Sequence, residues 1–396
     1  MFNPGERLTE SVSTAELERR WKLARKAMAD KGVDILVIRC LEEYLGSYVR
    51  WFTDIPARHT YPFLVIFPKD DEMTIVSQGP FPPGEPYPPA WALRGVKQRL
   101  NSPFLDSLNW TGQFETDLTL SVLKKTPSAK IGWVGLPHIP APLYNGLLKG
   151  MPKATFVDMT EEIDLLKAVK SPEEQELCVR SAEMQDKIYE YLKTVIQPGI
   201  KESDIYAHAH YIGTKLGSER GLILVGSAPK GKPARFKYRR YQNRVIQAGD
   251  QVAVLVELNG PGGMYTEIAR PFSLGKPSQE LVDNFNISLE AQKLALSMLK
   301  PGADPAAIHN ACNDLVVKRG SEPELRICLH GQGYDLVERP MFQNGETMLI
   351  AEGMNITLHP SGLKNNAWAT VCDNYLVGKN GPGECIHKFP KEITVL

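Results

Sequence analysis

Glu257 and Glu267 stand ten residues apart (267 − 257) within residues 249–272, two extended runs joined by turn residues. Val252, Val254 and Val256 alternate with Ala253, Leu255 and Glu257, residues 259–263 are turn chemistry, and residues 265–272 return extended. Side chains alternate faces along a strand, so Leu255 and Glu257 share one face and Glu267 comes back on the paired strand. Two carboxylates in one pocket push one pKa up, and a nearby imidazole exchanges protons near neutral pH. His330, in the turn His330-Gly331-Gln332-Gly333, is placed for that part. The set suits general acid–base chemistry.

The elements that must position these groups are marked by strong local signals. Ser13 to Glu16 reads as a capping box, opening a helix with Leu17, Trp21, Ala24 and Met28 on one face until Gly32 ends it. Strand-like runs at 35–38, 63–67, 74–77, 131–134 and 155–157 predict a smaller α/β domain over residues 1–165. Residues 80–89, rich in proline, read as an extended surface loop. The chain crosses between domains over 157–170, and Ser171-Pro172-Glu173-Glu174 then starts a helix running to about residue 196. Pro198-Gly199 leads to Ile205 and Gly217; Pro301-Gly302 leads to Ile308 and Gly320 at the same offsets, displaced by 103 residues (301 − 198). Such a repeat implies an internal pseudo-twofold over residues 166–396, with a cleft where the halves meet.

The bulk numbers exclude several classes. At 396 residues the chain can bury two cores. Lysine plus arginine equals aspartate plus glutamate at 46 each, which argues against a nucleic-acid platform and leaves small-molecule or peptide substrates open. Residues 1–11 lack a signal-type apolar region and no run of about 18 apolar residues occurs, so a cytoplasmic protein with no membrane partner is expected. The six cysteines form no C-x-x-C pair, and neither a zinc knuckle nor a disulfide framework is suggested.

Ser171-Pro172-Glu173-Glu174, the two Pro-Gly units, Gly249-Asp250, His330-Gly331-Gln332-Gly333 with Glu338 and Pro340, Gly353-Met354 and Asp373 together resemble the creatinase, aminopeptidase P and prolidase superfamily. The resemblance covers nearly the whole chain. It implies an α+β pita-bread domain with an internal pseudo-twofold behind a smaller α/β domain. Peptidases of that superfamily hold two divalent metals with two aspartates, one histidine and two glutamates. Carried onto this sequence, the first aspartate falls on Leu255, with Glu257 two residues on, and the second on Glu267. The histidine falls on His330 and the glutamates on His359 and Cys372, so one ligand of five is kept in kind. A metal-free centre is therefore expected; the alternative is a single zinc, iron or manganese ion on His330, His359 and Glu267. The pattern's second histidine is Val337 here, and the base position of creatinase is Tyr238.

The resemblance and the ionisable set together predict a hydrolase acting on the C–N bond of a small, polar, anionic amide or amidine. His330, His359, Glu267 and Glu257 are its expected catalytic residues. Tyr238, Arg339, Arg58, Cys372 and Asp373 are its expected substrate contacts. Elimination, a single-metal Xaa-Pro peptidase and a non-catalytic binding protein stay open as alternatives. Creatinase-like proteins are homodimers in which the partner's small domain closes the cleft, which would let Arg58 act across an interface.

Overall fold

The structure is a computed structural model describing residues 7, 10–40, 42, 44–56, 61–79 and 88–396. Residues 80–87 of the proline-rich loop and Arg58 lie outside the described residues. The chain forms two compact units, chiefly residues 11–167 and 168–396. No helix among the described residues is long and apolar enough to cross a membrane.

The first unit is α/β. Helix α1 (Thr14–Lys31) begins where Ser13 Oγ accepts from Glu16 N at 3.0 Å and ends at Gly32, whose φ of 64° is left-handed. There follow β1 (Ile35–Cys40), α2 (Ser47–Thr53), β2 (Phe63–Pro68), β3 (Met73–Gln78), β4 (Val96–Ser102) and α3 (Gly112–Leu123). Then come β5 (Lys130–Val134), α4 (Ala141–Gly150), β6 (Thr155–Asp158) and α5 (Thr160–Ala168). The sheet runs β4-β3-β2-β1-β5-β6. The five strands expected from apolar runs are present. Strand β4 was missed because it is an edge strand carrying Lys97, Gln98, Arg99 and Asn101, without an apolar run. Most of the stretch read as a crossover is helix α5.

The second unit repeats itself. Helix α6 (Pro172–Val195) has the full capping box: Glu174 N donates to Ser171 Oγ at 3.1 Å, and Ser171 N donates to Glu174 Oε2 at 2.8 Å. After it come α7 (Glu202–Lys215), β7 (Gly221–Ala228), β8 (Gln251–Leu258) and β9 (Ile268–Ser273). The second half supplies α8 (Gln279–Met298), α9 (Pro305–Lys318), β10 (Leu329–Gly331), β11 (Glu338–Met341), β12 (Asn355–Leu358) and β13 (Ser361–Lys364). It closes with β14 (Ala367–Thr370), β15 (Asp373–Gly378), β16 (Gly381–Cys385) and β17 (Thr394–Val395). Helices α7 and α9 start and stop 103 residues apart (305 − 202 and 318 − 215). The antiparallel meander β7-β8-β9 matches β10-β12-β15. This is the pita-bread architecture with its internal pseudo-twofold.

Strand alternation decides which side chains reach the cleft. Val252, Val254 and Val256 pack with Ile188, Tyr189 and Ile205 of α6 and α7. In the other half Ile356 and Leu358 pack with Ala295 of α8 and Ile308 of α9. The opposite faces turn inward, where Leu255, Ala269 and Cys372 meet. Ala269 and Cys372 also form a β-bridge, with N–O distances of 3.1 and 3.4 Å, that stitches the two sheets together.

Gly226 on β7 and Gly331 on β10 occupy matching places, each pressed by a backbone carbonyl. A Cβ at Gly226 would lie 1.8 Å from Arg235 O, and one at Gly331 would lie 2.4 Å from Arg339 O. Gly226→Ala is expected to cost about 1–3 kcal/mol, the range for forcing atoms into a packed interior. A urea melt checks it, and an unchanged midpoint would mean that the segment at Arg235 yields freely.

Candidate active site

Three side chains converge at the seam between the sheets. Glu267 immediately precedes β9, His330 lies within β10 and His359 immediately follows β12. The register places them: His330 pairs with Thr357, and Leu358, one residue before His359, pairs with Asp373. All three are buried. His330 Nε2 is 3.7 Å and His359 Nε2 is 4.0 Å from Glu267 Oε2, and the two rings stand edge to face with centroids 5.2 Å apart. One donor atom from each lies within 4.8 Å of the others.

Hydrogen bonding shows which atoms are available. His330 Nδ1 lies 2.8 Å from Gly331 O; a carbonyl only accepts, so Nδ1 carries the proton and Nε2 presents its lone pair toward Glu267. Neither ring nitrogen of His359 makes a hydrogen bond among the described residues. Burial pushes His330 down to about 4 and His359 well below the ordinary imidazole range, so both rings are neutral at physiological pH. Burial pushes Glu267 up to about 7, against hydrogen bonds from Cys372 and Thr357 and the charge of Arg326.

Glu257 stands behind this cluster. Burial and the neighbouring Glu267 carboxylate raise its pKa well above the usual range. Gln332 Nε2 donates to Glu257 Oε1 at 2.7 Å, and Asn374 Nδ2 donates to Gln332 Oε1 at 2.9 Å. Asn374 Oδ1 in turn accepts from Glu267 N at 2.7 Å, so one amide fixes the settings of both carboxylates. Sequence reasoning named Gln332 only as a turn residue and missed Asn374. The available signal was its even spacing from Cys372 along an extended run, which puts both on one face. Gln332→Leu would strip Glu257 Oε1 of its donor and leave Asn374 Nδ2 with Asn355 Oδ1 as its acceptor. A fall in kcat/KM of about 10–100-fold is expected, the usual cost of removing a group that orients a site residue. An unaltered kcat/KM would exclude Glu257 from the chemistry.

The other predicted residues are placed differently. Cys372 is fully buried; its thiol donates to Glu267 O at 3.4 Å and lies 3.3 Å from Thr357 Oγ1, and burial pushes its pKa well above normal. It braces Glu267. Asp373 is engaged within the protein: Arg270 Nη2 donates to it at 2.5 Å, Gln292 Nε2 at 3.0 Å, and Lys391 Nζ lies 3.0 Å away. Arg339 is committed to Glu346 at 2.5 Å and to Thr347 at 3.0 Å. Tyr238 is 64% exposed at the start of a one-turn 3-10 helix, Arg239–Tyr241, outside the buried cluster. Leu255, at the place of a family aspartate, packs on Ala269 and Cys372.

The fit of a metal can be tested on the donors themselves. Buried nitrogens without partners carry a desolvation cost that a bound cation would relieve. Two neutral imidazoles and one carboxylate suit a single zinc or ferrous ion. The donor set thus fits one divalent ion, and the expectation of a metal-free centre is not supported.

The two halves of the pita-bread domain thus close on two histidines and a carboxylate that could hold one divalent ion. The model for metallopeptidase family M24 matches residues 176–379, 204 of 396 (379 − 176 + 1), and the chain belongs to that family. It is 22% identical over 307 residues to a probable dipeptidase PepE of Mycobacterium tuberculosis, covering 70% of this chain and 81% of that protein. It is 24% identical over 231 residues to an Xaa-Pro dipeptidase of Pyrococcus furiosus, covering 57% and 65%. Among solved structures, an X-Pro aminopeptidase from Thermotoga maritima superposes with a TM-score of 0.79 at 16% identity, covering 95% of this chain and 99% of that one. An Xaa-Pro dipeptidase from Bacillus anthracis gives 0.76 at 19%, covering 96% and 100%.

Proposed function

We propose that this chain hydrolyses the C–N bond of a small polar amide, amidine or dipeptide at a single-ion variant of the M24 centre. The observation that supports this reading is the convergence of Glu267, His330 and His359 with the Glu257 carboxyl behind them. A divalent ion held by those three would supply a Lewis acid for the carbonyl oxygen and an acidified water. The protein supplies the rest. Glu257, kept protonated by burial and by Glu267, holds a proton for the leaving nitrogen, and Gln332 aims it. His330 is locked by Gly331 O in the tautomer that leaves Nε2 open. Leu255 and Cys372 at two of the family's ligand positions favour one ion over a pair, and Val337 in place of the second histidine favours short amides over longer peptides.

The test is reconstitution. Protein stripped with chelator is reloaded separately with zinc, ferrous iron and manganese, then offered dipeptides, including Xaa-Pro, and N-acyl amino acids. Amine release with about one ion per chain would support the reading. Alkene formation would transfer the protein to the lyases, and no turnover by any reloaded form would reject catalysis at this centre.

A further inference from the structure

We propose that His387 is a positioning residue of this site: with Asp186 behind it, its Nε2–H locks the Asn374 carboxamide on which the settings of Glu267 and Glu257 both depend. This deepens the amide-hydrolase reading and rests on it for the reaction, while the lock itself can be read without turnover.

The three residues come from separate elements: Asp186 lies on α6, Asn374 lies on β15, and His387 follows β16. Asn374 Oδ1 faces Glu267 N at 2.7 Å and His387 Nε2 at 3.3 Å. A backbone N–H only donates, so the atom it meets is the carbonyl oxygen of the amide. His387 Nε2 must then carry a proton to meet that same oxygen. The amide nitrogen points the other way, donating to Gln332 Oε1 at 2.9 Å and to Asn355 Oδ1 at 3.2 Å. Gln332 passes this polarity on to Glu257 Oε1. A reversed Asn374 amide would set its nitrogen against two donors and its oxygen against two acceptors.

The ring is held from its far side. His387 is buried, and its Nδ1 stands 3.4 Å from Asp186 Oδ1. Neither of those two atoms has a hydrogen-bond partner among the described residues, so one proton placed between them satisfies both. The carboxylate is itself anchored: Asp186 Oδ2 accepts at 2.6 Å from the backbone N of Lys388, the residue after His387. A carboxylate on one ring nitrogen fixes what the other nitrogen presents, which is how imidazoles are commonly oriented behind a reactive centre. His387 thus acts at one remove, through Asn374, on a carboxylate of the cluster and on the carboxyl behind it.

Glutamine puts its amide nitrogen where the ring carries Nε2, and asparagine where it carries Nδ1, so two substitutions separate the donor from the bulk of the side chain. In isotope-labelled, metal-free protein, the side-chain amide protons of Asn374 report the lock through their exchange with solvent, measured by NMR. Their signals are identified by their loss in Asn374→Asp. His387→Asn is expected to speed that exchange at least about tenfold, and His387→Gln to stay within about threefold of the parent. With metal restored, His387→Asn should lower kcat about 10–100-fold and leave KM within about twofold, and His387→Gln should recover most of the loss. Asp186→Ala should move both readouts in the same direction by less. Exchange as slow in His387→Asn as in the parent would overturn the proposal. So would equal effects of the two His387 substitutions, which would mark the ring as packing alone. In a parent without turnover the hydrolase reading falls, and the exchange rates alone uphold or overturn the lock.

Discussion

Glu267→Gln is expected to lower kcat/KM at least about a thousandfold and to strip the protein of bound metal, because it removes the one anionic donor among the three. Glutamine keeps the size of the side chain, so the seam between the sheets should stay packed. The charge effect can therefore be separated from a cavity. In metal-free protein the substitution should act on stability in the opposite direction. Burial holds the Glu267 pKa at about 7 against an ordinary value of 4.5, so the folded state binds the proton more tightly than the unfolded chain. Its contribution is fully present below about pH 4.5 and is lost as pH rises through about 7. Above that, the parent buries a desolvated carboxylate and Glu267→Gln does not. The stripped variant should then melt higher than the stripped parent at pH 8, with the difference vanishing at pH 5. Activity within about tenfold of the parent, measured alongside metal per chain, would remove Glu267 from the centre.

Arg270→Ala is expected to destabilise the fold by about 3–5 kcal/mol, the cost of leaving one partner of a buried ion pair behind. Arg270 and Asp373 are both sealed from solvent, and the guanidinium also donates to Cys372 O at 2.8 Å and Pro390 O at 2.9 Å. Its removal would leave Pro390 O and Asp373 Oδ1 without their donor and Cys372 O with Ala269 N alone. The cycle with Asp373→Asn separates the pair from its surroundings: substantial coupling is expected, and additive costs would show that the two act independently. Burial alone would raise the Asp373 carboxyl, but the charges of Arg270, Lys391 and His387 hold it down to about 2. The folded value lies below the ordinary 3.8, so the stability it confers is present above about pH 4 and is lost as pH falls through about 2. Acid melts of the parent and of Asp373→Asn should therefore converge toward pH 2; parallel curves over that range would contradict the assignment.

The helix starts at Ser13 and Ser171, the alternation that puts Glu257 and Leu255 on one face, and the 103-residue repeat were all legible in the sequence. Each is a local or periodic signal, set by the reach of a cap or the period of a strand. Strand β4 was not legible, because an edge strand can be polar on both faces.

The site divides along the same line. The identities of Glu257, Glu267, His330 and His359 follow from motif and repeat. The convergence of three lone pairs within 4.8 Å depends on the register of β10 on β12 and on the Ala269–Cys372 bridge, pairings between segments far apart in the chain. The same holds for charges. Asp373 and Arg339 look like free ligands for substrate until folding brings Arg270 and Glu346 to them. Residue chemistry and local geometry were written in the order of amino acids; partnership, and with it which charges remain to act, was decided by tertiary contacts, because an ion's role depends on what neutralises it.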